Sequence, residues 1–184
     1  MKDILTIVIP CKNEEDYIGN CLKSISEQKD IQGVRIIIAD AKSTDTTIKI
    51  INNYSNRLNV EVIDGGLPAI GRNRGAKLAN TKYILFIDAD AEIFDNEMIS
   101  ASVLKMENEK LDLLASKMNS KFLAVKLLYK INNIIIYLSK YDKPFSVGIY
   151  MMVKSDIFKS LGGFPEDVMH CEDYLFSKKV DCKK

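Results

Sequence analysis

Three short runs, "ILTIVIP" (residues 4–10), "VRIIIAD" (34–40) and "KYILFIDAD" (82–90), are apolar on nearly every residue and rich in β-branched side chains. A strand with one wet face alternates apolar and polar residues. A strand covered on both faces does not, and such strands belong to parallel sheets flanked by helices. "NVEVIDG" (59–65) adds a fourth strand. Between the strands lie helical stretches at 15–28, with Tyr17, Ile18, Cys21, Leu22 and Ile25 on one face, at 45–56 and at 71–78. The alternation predicts an open α/β sheet with right-handed crossovers. Ligands of such sheets bind outside the carboxyl ends of the strands, so Pro10, Asp40, Asp88 and Asp90 are expected to line one crevice.

The rest of the chain reads as mostly helical from 96 to about 138, then as a short strand, a helix and a glycine-rich turn over 143–167. No linker, low-complexity tract or internal repeat interrupts the 184 residues, which fit one domain. With 26 Lys+Arg against 25 Asp+Glu there is no basic field to draw nucleic acid, which is excluded as a partner. Cys11, Cys21, Cys171 and Cys182 form no C-x-x-C pair, and the N-terminus shows no leader pattern. A reducing cytoplasm is the expected location, without a structural zinc or a disulfide framework.

The segment "FLAVKLLYKINNIIIYLSKY" (122–141) is apolar but carries Lys126, Lys130 and Lys140, which makes a bilayer-spanning helix costly. Two readings stay open. It is an amphipathic helix packed on the sheet, or it lies flat on a membrane surface with its lysines reaching to anionic headgroups.

In "YILFIDADAEI" (83–93) an apolar strand runs into Asp88, Asp90 and Glu92. Carboxylates at alternate positions can converge on one hard divalent cation, whose other ligands are water and substrate phosphates. "AIGRNRGAKLA" (69–79) sets Arg72 and Arg74 beside two glycines at what reads as a helix start, a combination suited to phosphate or to an exposed basic turn. In "IADAKSTDTT" (38–47), capping by Ser43 and Asp45 leaves Asp40 unexplained, as an acceptor for a ribose or base edge. Glu172 and Asp173 stand at a further helix start, either as caps or as functional acids. His170, the single histidine, supports no nucleophilic triad and reads as a surface turn residue that can also reach a metal or phosphate.

Taken in order, "IVIPCKNEE", "IIADAKSTDTT", "GRNRGAKLA", "FIDADAE", "GGFPE" and "CEDYLFSKK" resemble the family 2 glycosyltransferases from residue 7 to about 179. The resemblance implies the GT-A fold, a Rossmann-like, open, mostly parallel sheet with helices on both faces, in one domain over 1–184. It implies that Pro10, Asn13, Glu14 and Asp40 hold the nucleotide and that Arg72 sits near the donor's phosphates or sugar. Asp88 and Asp90, with Ala89 between them in the donor site, match the Mn²⁺ or Mg²⁺ motif. Asp173 matches the general base, with Glu172 beside it. The implied activity is metal-dependent, inverting transfer of one sugar from a nucleotide-diphosphate sugar, UDP-sugar favoured over GDP- or dTDP-sugar, to a glycan or lipid-linked hydroxyl.

The chain ends eleven residues after Asp173, short of the further helices that shape the acceptor site in this family, and because it lacks both a Q-x-x-R-W motif and transmembrane helices, single transfer is expected over polymerisation. A non-catalytic nucleotide-sugar-binding module stays open. So does a sugar nucleotidyltransferase, although "IPCKNEE" lacks the glycine-rich loop that class carries after its first strand. The expected location is cytoplasmic, with peripheral contact to the inner membrane face as an open alternative.

Overall fold

A computed structural model describes residues 1–117, 123–139, 149–168 and 170–181. Its strands are Leu5–Cys11 (β1), Arg35–Asp40 (β2), Asn59–Asp64 (β3), Tyr83–Ile87 (β4), Leu113–Ala115 (β5) and Tyr150–Lys154 (β6). The helices are Ile18–Ser26 (α1), Thr47–Asn52 (α2), Pro68–Leu78 (α3), Met98–Asn108 (α4), Leu123–Ser139 (α5), Ser155–Ser160 (α6) and Glu172–Ser177 (α7). Residues 143–148 of the expected strand-and-turn region lie outside the described residues, as do Phe122, Lys140, Tyr141 and Cys182.

The sheet runs β3-β2-β1-β4-β6-β5. The strands β1 to β4 are mutually parallel, and β6 is antiparallel to both of its neighbours. The expected layering follows from the alternation of side chains. Leu5, Ile7 and Ile9 of β1 join Ile36 and Ile38 of β2 in a core covered by α1, α2 and α4, while Val8, Ile37, Ile84 and Phe86 point to the face that carries α3, α6 and α7. Each such side chain, fully withdrawn from water, contributes about 1.5–3 kcal/mol. On the second face Phe86, Phe158, Phe164 and Phe176 pack with ring centroids 5.0–5.3 Å apart, which fixes α6 and α7 against the centre of the sheet.

Three boundaries differ from the sequence reading. The fourth strand stops at Ile87, and the Ala91 N–H donates to the Asp88 carbonyl at 3.1 Å, so the acidic residues sit in a turn instead of an extended tip. The helix expected at 71–78 begins at Pro68, a residue whose missing N–H costs nothing in a first turn. The stretch from 96 to 138 is broken by β5, because Lys110 takes a left-handed conformation (φ 53°) and the three residues 113–115 pair with β6.

The two readings of the lysine-dotted segment differ in what covers its apolar side chains, and among the described residues much of that surface is open to water. Along α5, Leu127, Leu128, Ile131, Ile134, Ile135 and Leu138 are each 44–64% exposed. Among the described residues no helix is long and apolar enough to cross a membrane.

Candidate active site

The glycines of α3 decide where the site's basic group goes. A Cβ at Gly75 would lie 2.5 Å from Val8 Cγ1, and one at Gly71 would lie 3.3 Å from Ala39 Cβ. These glycines, one turn apart, let α3 sit directly on β1 and β2, a packing role beside the two readings the sequence left open, a phosphate site or an exposed basic turn. Arg72 consequently enters the interior at 4% exposure in the second turn of the helix, away from its N-terminal amides. Arg74, its partner in both readings, turns the other way: its guanidinium donates to the Gly65 carbonyl at 2.5 Å and to Asp64.

Inside, Arg72 forks between two acids. Nη2 donates to Asp88 Oδ1 at 2.5 Å and Nη1 donates to Glu172 Oε1, while the guanidinium carbon stands 5.8 Å from the Phe164 ring centroid. One buried cation therefore joins the turn after β4 to the start of α7. Asp173, the next residue, accepts a hydrogen bond from the Tyr174 N–H at 2.7 Å.

These groups open on a cleft of about 660 Å³ at the carboxyl ends of the parallel strands. Pro10, Glu14, Arg72, Asp88, Ala89, Asp90, Glu172 and Asp173 all line it. So do Lys12, Leu67, Pro68 and Cys171, to which the sequence reading gave no role, and His170, read there as a surface turn residue that can also reach a metal or phosphate. Pro68 was the available signal, since proline in a first helical turn marks where a helix mouth opens. Two expected site residues are placed beside the cleft instead of on its wall. Both Asp40 carboxylate oxygens are taken by Ser43, which donates its N–H at 3.0 Å and its hydroxyl at 2.5 Å. Asn13 (φ 54°) laces the loop after β1 to the loop after β2: its N–H donates to Ser43 Oγ and its Oδ1 accepts from the Thr44 N–H, each at 2.9 Å. A larger depression of about 820 Å³ lies at the amino end of β4, but its Lys82 and Lys154 are already paired with Glu107 and Asp112.

The cleft is acidic, and its charges feel one another. Burial raises the Asp88 carboxyl above its usual range; Arg72 opposes this, and Asp90 and Asp173 add to it. Glu14 is raised by burial first and then by Asp90, Asp88 and Asp45. Burial, followed by Asp40, likewise pushes up the Cys11 thiol. Carboxylates that repel each other across a half-buried space bind a cation more readily than either does alone.

Among the described residues there is no group of three or more His, Cys, Asp or Glu side chains that would by itself hold a metal. Asp88 and Asp90 nevertheless fit a hard divalent ion that takes its remaining ligands from phosphate and water. Both are oxygen donors, they line one cleft, and Arg72 engages Asp88 through Oδ1.

A mostly parallel six-stranded sheet with helices on both faces, carrying an acidic turn after its fourth strand, defines the GT-A class of glycosyltransferase fold. The chain belongs to glycosyl transferase family 2, whose profile matches residues 6–162. Over 97% of its length it is 31% identical to a poly(ribitol-phosphate) beta-glucosyltransferase of Bacillus spizizenii, covering 30% of that protein. It is 26% identical over 95% of its length to the poly(ribitol-phosphate) beta-N-acetylglucosaminyltransferase TarS of Staphylococcus aureus, covering 32%. The chain thus spans about a third of the length of these relatives. Among solved structures it superposes on S. aureus TarS 1-349 in complex with UDP-GlcNAc with a TM-score of 0.76 at 25% identity, covering 95% of this chain and 52% of that one. The mannosyltransferase PcManGT of Pyrobaculum calidifontis, in complex with GDP-Man and Mn²⁺, shares the fold at a TM-score of 0.79 and 19% identity, covering 96% of this chain and 51% of that one.

Proposed function

We propose that this chain binds a nucleoside-diphosphate sugar, UDP-sugar by preference, and transfers its sugar with inversion to a hydroxyl of a cell-surface glycan of the polyol-phosphate kind. The observation that carries this reading is that the turn holding Asp88 and Asp90 and the helix start holding Glu172 and Asp173 line one cleft, joined through Arg72. The donor preference and the acceptor class are supported by the relatives that match nearly the whole chain.

Asp88 and Asp90 would hold Mn²⁺ or Mg²⁺, which when bound supplies a Lewis acid for the charge that grows on the departing diphosphate. The chain's own residues do the rest. The loops after β1 and β2, tied together through Asn13, Ser43 and Thr44, form the floor for the nucleoside, with Pro10 and Glu14 on the cleft wall. Arg72 holds Asp88 and Glu172 in fixed positions and offsets part of the negative charge that gathers there. Asp173 takes the proton of the acceptor hydroxyl as its oxygen bonds to the anomeric carbon and the nucleoside diphosphate leaves from the opposite face, a single displacement that inverts that carbon. Leu127, Ile131 and Ile134 of α5, with Lys126 and Lys130 beside them, support peripheral contact with an anionic membrane surface near the acceptor.

Release of free UDP from UDP-glucose or UDP-N-acetylglucosamine, measured with and without poly(ribitol phosphate), tests the reading. Acceptor-dependent release is expected. Asp173→Asn should abolish it while UDP binding by titration calorimetry persists; loss of both would make Asp173 a helix cap. Release of pyrophosphate, or binding without turnover, would replace the proposal with a nucleotidyltransferase or a binding module.

A further inference from the structure

We infer that Asn73 is a positioning residue for the acids of α7, acting through the backbone of Phe164; the inference deepens the transfer activity proposed above and rests on it for its catalytic consequence. Asn73 follows Arg72 on α3 and is 7% exposed. Its carboxamide grips one residue of the distant 162–168 segment from both sides. Nδ2 donates to the Phe164 carbonyl at 2.9 Å and Oδ1 accepts from the Phe164 N–H at 3.0 Å, the two-bond exchange that a neighbouring strand would make. Nδ2 also donates to Glu166 Oε1 at 2.8 Å. The approach needs glycine before it: Gly163 has φ +73°, and a Cβ there would sit 2.7 Å from Asn73 Oδ1.

The consequence lies in α7. A helix of six residues has no stability of its own, so its position is imposed by what it packs on. One anchor is the Arg72–Glu172 ion pair, and another is the Phe176 ring, 5.1 Å from that of Phe164. Asn73 fixes Phe164 through its backbone, and the Phe164 ring also lies below the Arg72 guanidinium. Consecutive residues of α3 thus hold the two sides of the segment that presents Asp173. Only an amide supplies both a donor and an acceptor in this geometry. A carboxylate at the same position loses the bond to the Phe164 carbonyl and faces Glu166 with like charge.

The test uses Asn73→Ala and Asn73→Asp in the intact chain, with two readouts. The first is sugar transfer. The expected result is a kcat about ten- to 100-fold lower with the donor KM within about twofold, as displacement of a base requires. The second is hydrogen–deuterium exchange, which needs no turnover. Amides of residues 172–177 should exchange faster in both variants while those of β1 and β2 keep their protection. Adding Glu166→Gln to Asn73→Asp replaces the repulsion with a hydrogen bond and should restore part of the loss in both readouts after correction for the folded fraction.

Unchanged exchange at 172–177, or a kcat that falls only as far as the folded fraction, would overturn the proposal. Should Asn73→Ala fail to fold, the Asn73→Asp, Glu166→Gln double variant keeps the acceptor for the Phe164 N–H and lacks only the donor to its carbonyl, and should produce the same pattern in milder form; no effect on either readout would again overturn it. If the wild-type chain transfers no sugar, the proposed activity fails on its own, and the exchange data still decide whether Asn73 positions α7.

Discussion

Arg72 Nη2 stands 2.5 Å from Asp88 Oδ1, and because the same guanidinium also grips Glu172, the turn after β4 and the start of α7 share a single countercharge. The arrangement carries a cost, since Arg72 Nε is buried with no hydrogen-bond partner among the described residues. An orphaned donor costs about 1–3 kcal/mol, whereas removing one partner from a buried ion pair costs about 3–5 kcal/mol, so keeping the arginine is the favourable choice. Arg72→Met should therefore destabilise the fold by about 3–5 kcal/mol in a urea titration. Arg72→Lys, which keeps a charge for one acid and drops the orphaned Nε, should cost less. Equal losses from the two substitutions would show that side-chain packing, not charge, holds this position.

Gly75 and Gly71 give a paired stability test. A helix interior gains about 1 kcal/mol from glycine to alanine. At Gly75 the new methyl would meet Val8 Cγ1 at 2.5 Å, and Val8 is fully buried and stiff at χ1, so overpacking of about 1–3 kcal/mol wins. The net loss of up to about 2 kcal/mol should lower the melting temperature of Gly75→Ala by up to about 8 °C. At Gly71 the nearest atom is 3.3 Å away, a contact that a small shift relieves, and Gly71→Ala should be close to neutral. Calorimetric melts of both variants decide it.

The same glycines show why the site was only partly legible. The unbroken apolar runs of β1, β2 and β4 gave the layers of the fold, because burial on both faces leaves a direct trace in composition. The placement of Asp88 and Asp90 followed from the strand that precedes them. Arg72 was picked out as a charged group near glycines, but its destination depends on Val8 and Ala39, more than thirty residues away in sequence, and no local pattern records a packing distance. Asn73 left no signal at all, since its partners Phe164 and Glu166 come near it only in the folded chain. The three residues of β5 are too few to show a period and take their conformation from pairing with β6.

Cysteine reactivity should map the cleft without reference to catalysis. Cys11 and Cys21 are buried, and burial pushes both thiols up, further raised by Asp40 and Asp88 respectively. Cys171 is exposed and lines the cleft at the start of α7. With N-ethylmaleimide at neutral pH, peptide mapping should show Cys171 modified about 100-fold faster than Cys11 or Cys21. UDP with Mn²⁺ should slow its modification. Protection of Cys11 but not Cys171 would place the nucleotide deeper, against β1 alone.

The exposed face of α5 predicts a lipid preference. Lys126 and Lys130 flank Leu127, Ile131 and Ile134, and the helix from Leu123 to Ser139 carries no acidic residue. Sedimentation with vesicles containing phosphatidylglycerol should bring down the chain, and pure phosphatidylcholine vesicles should not. Changing both lysines to glutamate should abolish the effect at about 0.15 M salt, where surface charge still acts over about 8 Å. If neither lipid brings the chain down, the face serves a protein contact, which concentration-dependent sedimentation velocity would reveal.

Metal and nucleotide should stabilise the fold only together. A ligand that binds the folded chain alone raises its stability by about 2.7 kcal/mol at a hundredfold excess over Kd, or about 5–10 °C in a domain of this size. On the proposed reading Asp88 and Asp90 would supply two carboxylates, and since the described residues show no group of three or more such ligands, the ion would depend on a diphosphate to complete its shell. UDP with Mn²⁺ should therefore give the full shift, and either component alone, or the pair with a chelator, should give little. Asp90→Ala should remove the shift without lowering the melting temperature of the free chain, because Asp90 is exposed and its charge only adds to the repulsion felt by Asp88 and Glu14. A full shift from UDP in the presence of chelator would instead assign the diphosphate to Arg72 and Lys12. The acidic turn after β4 would then need a role other than holding a cation.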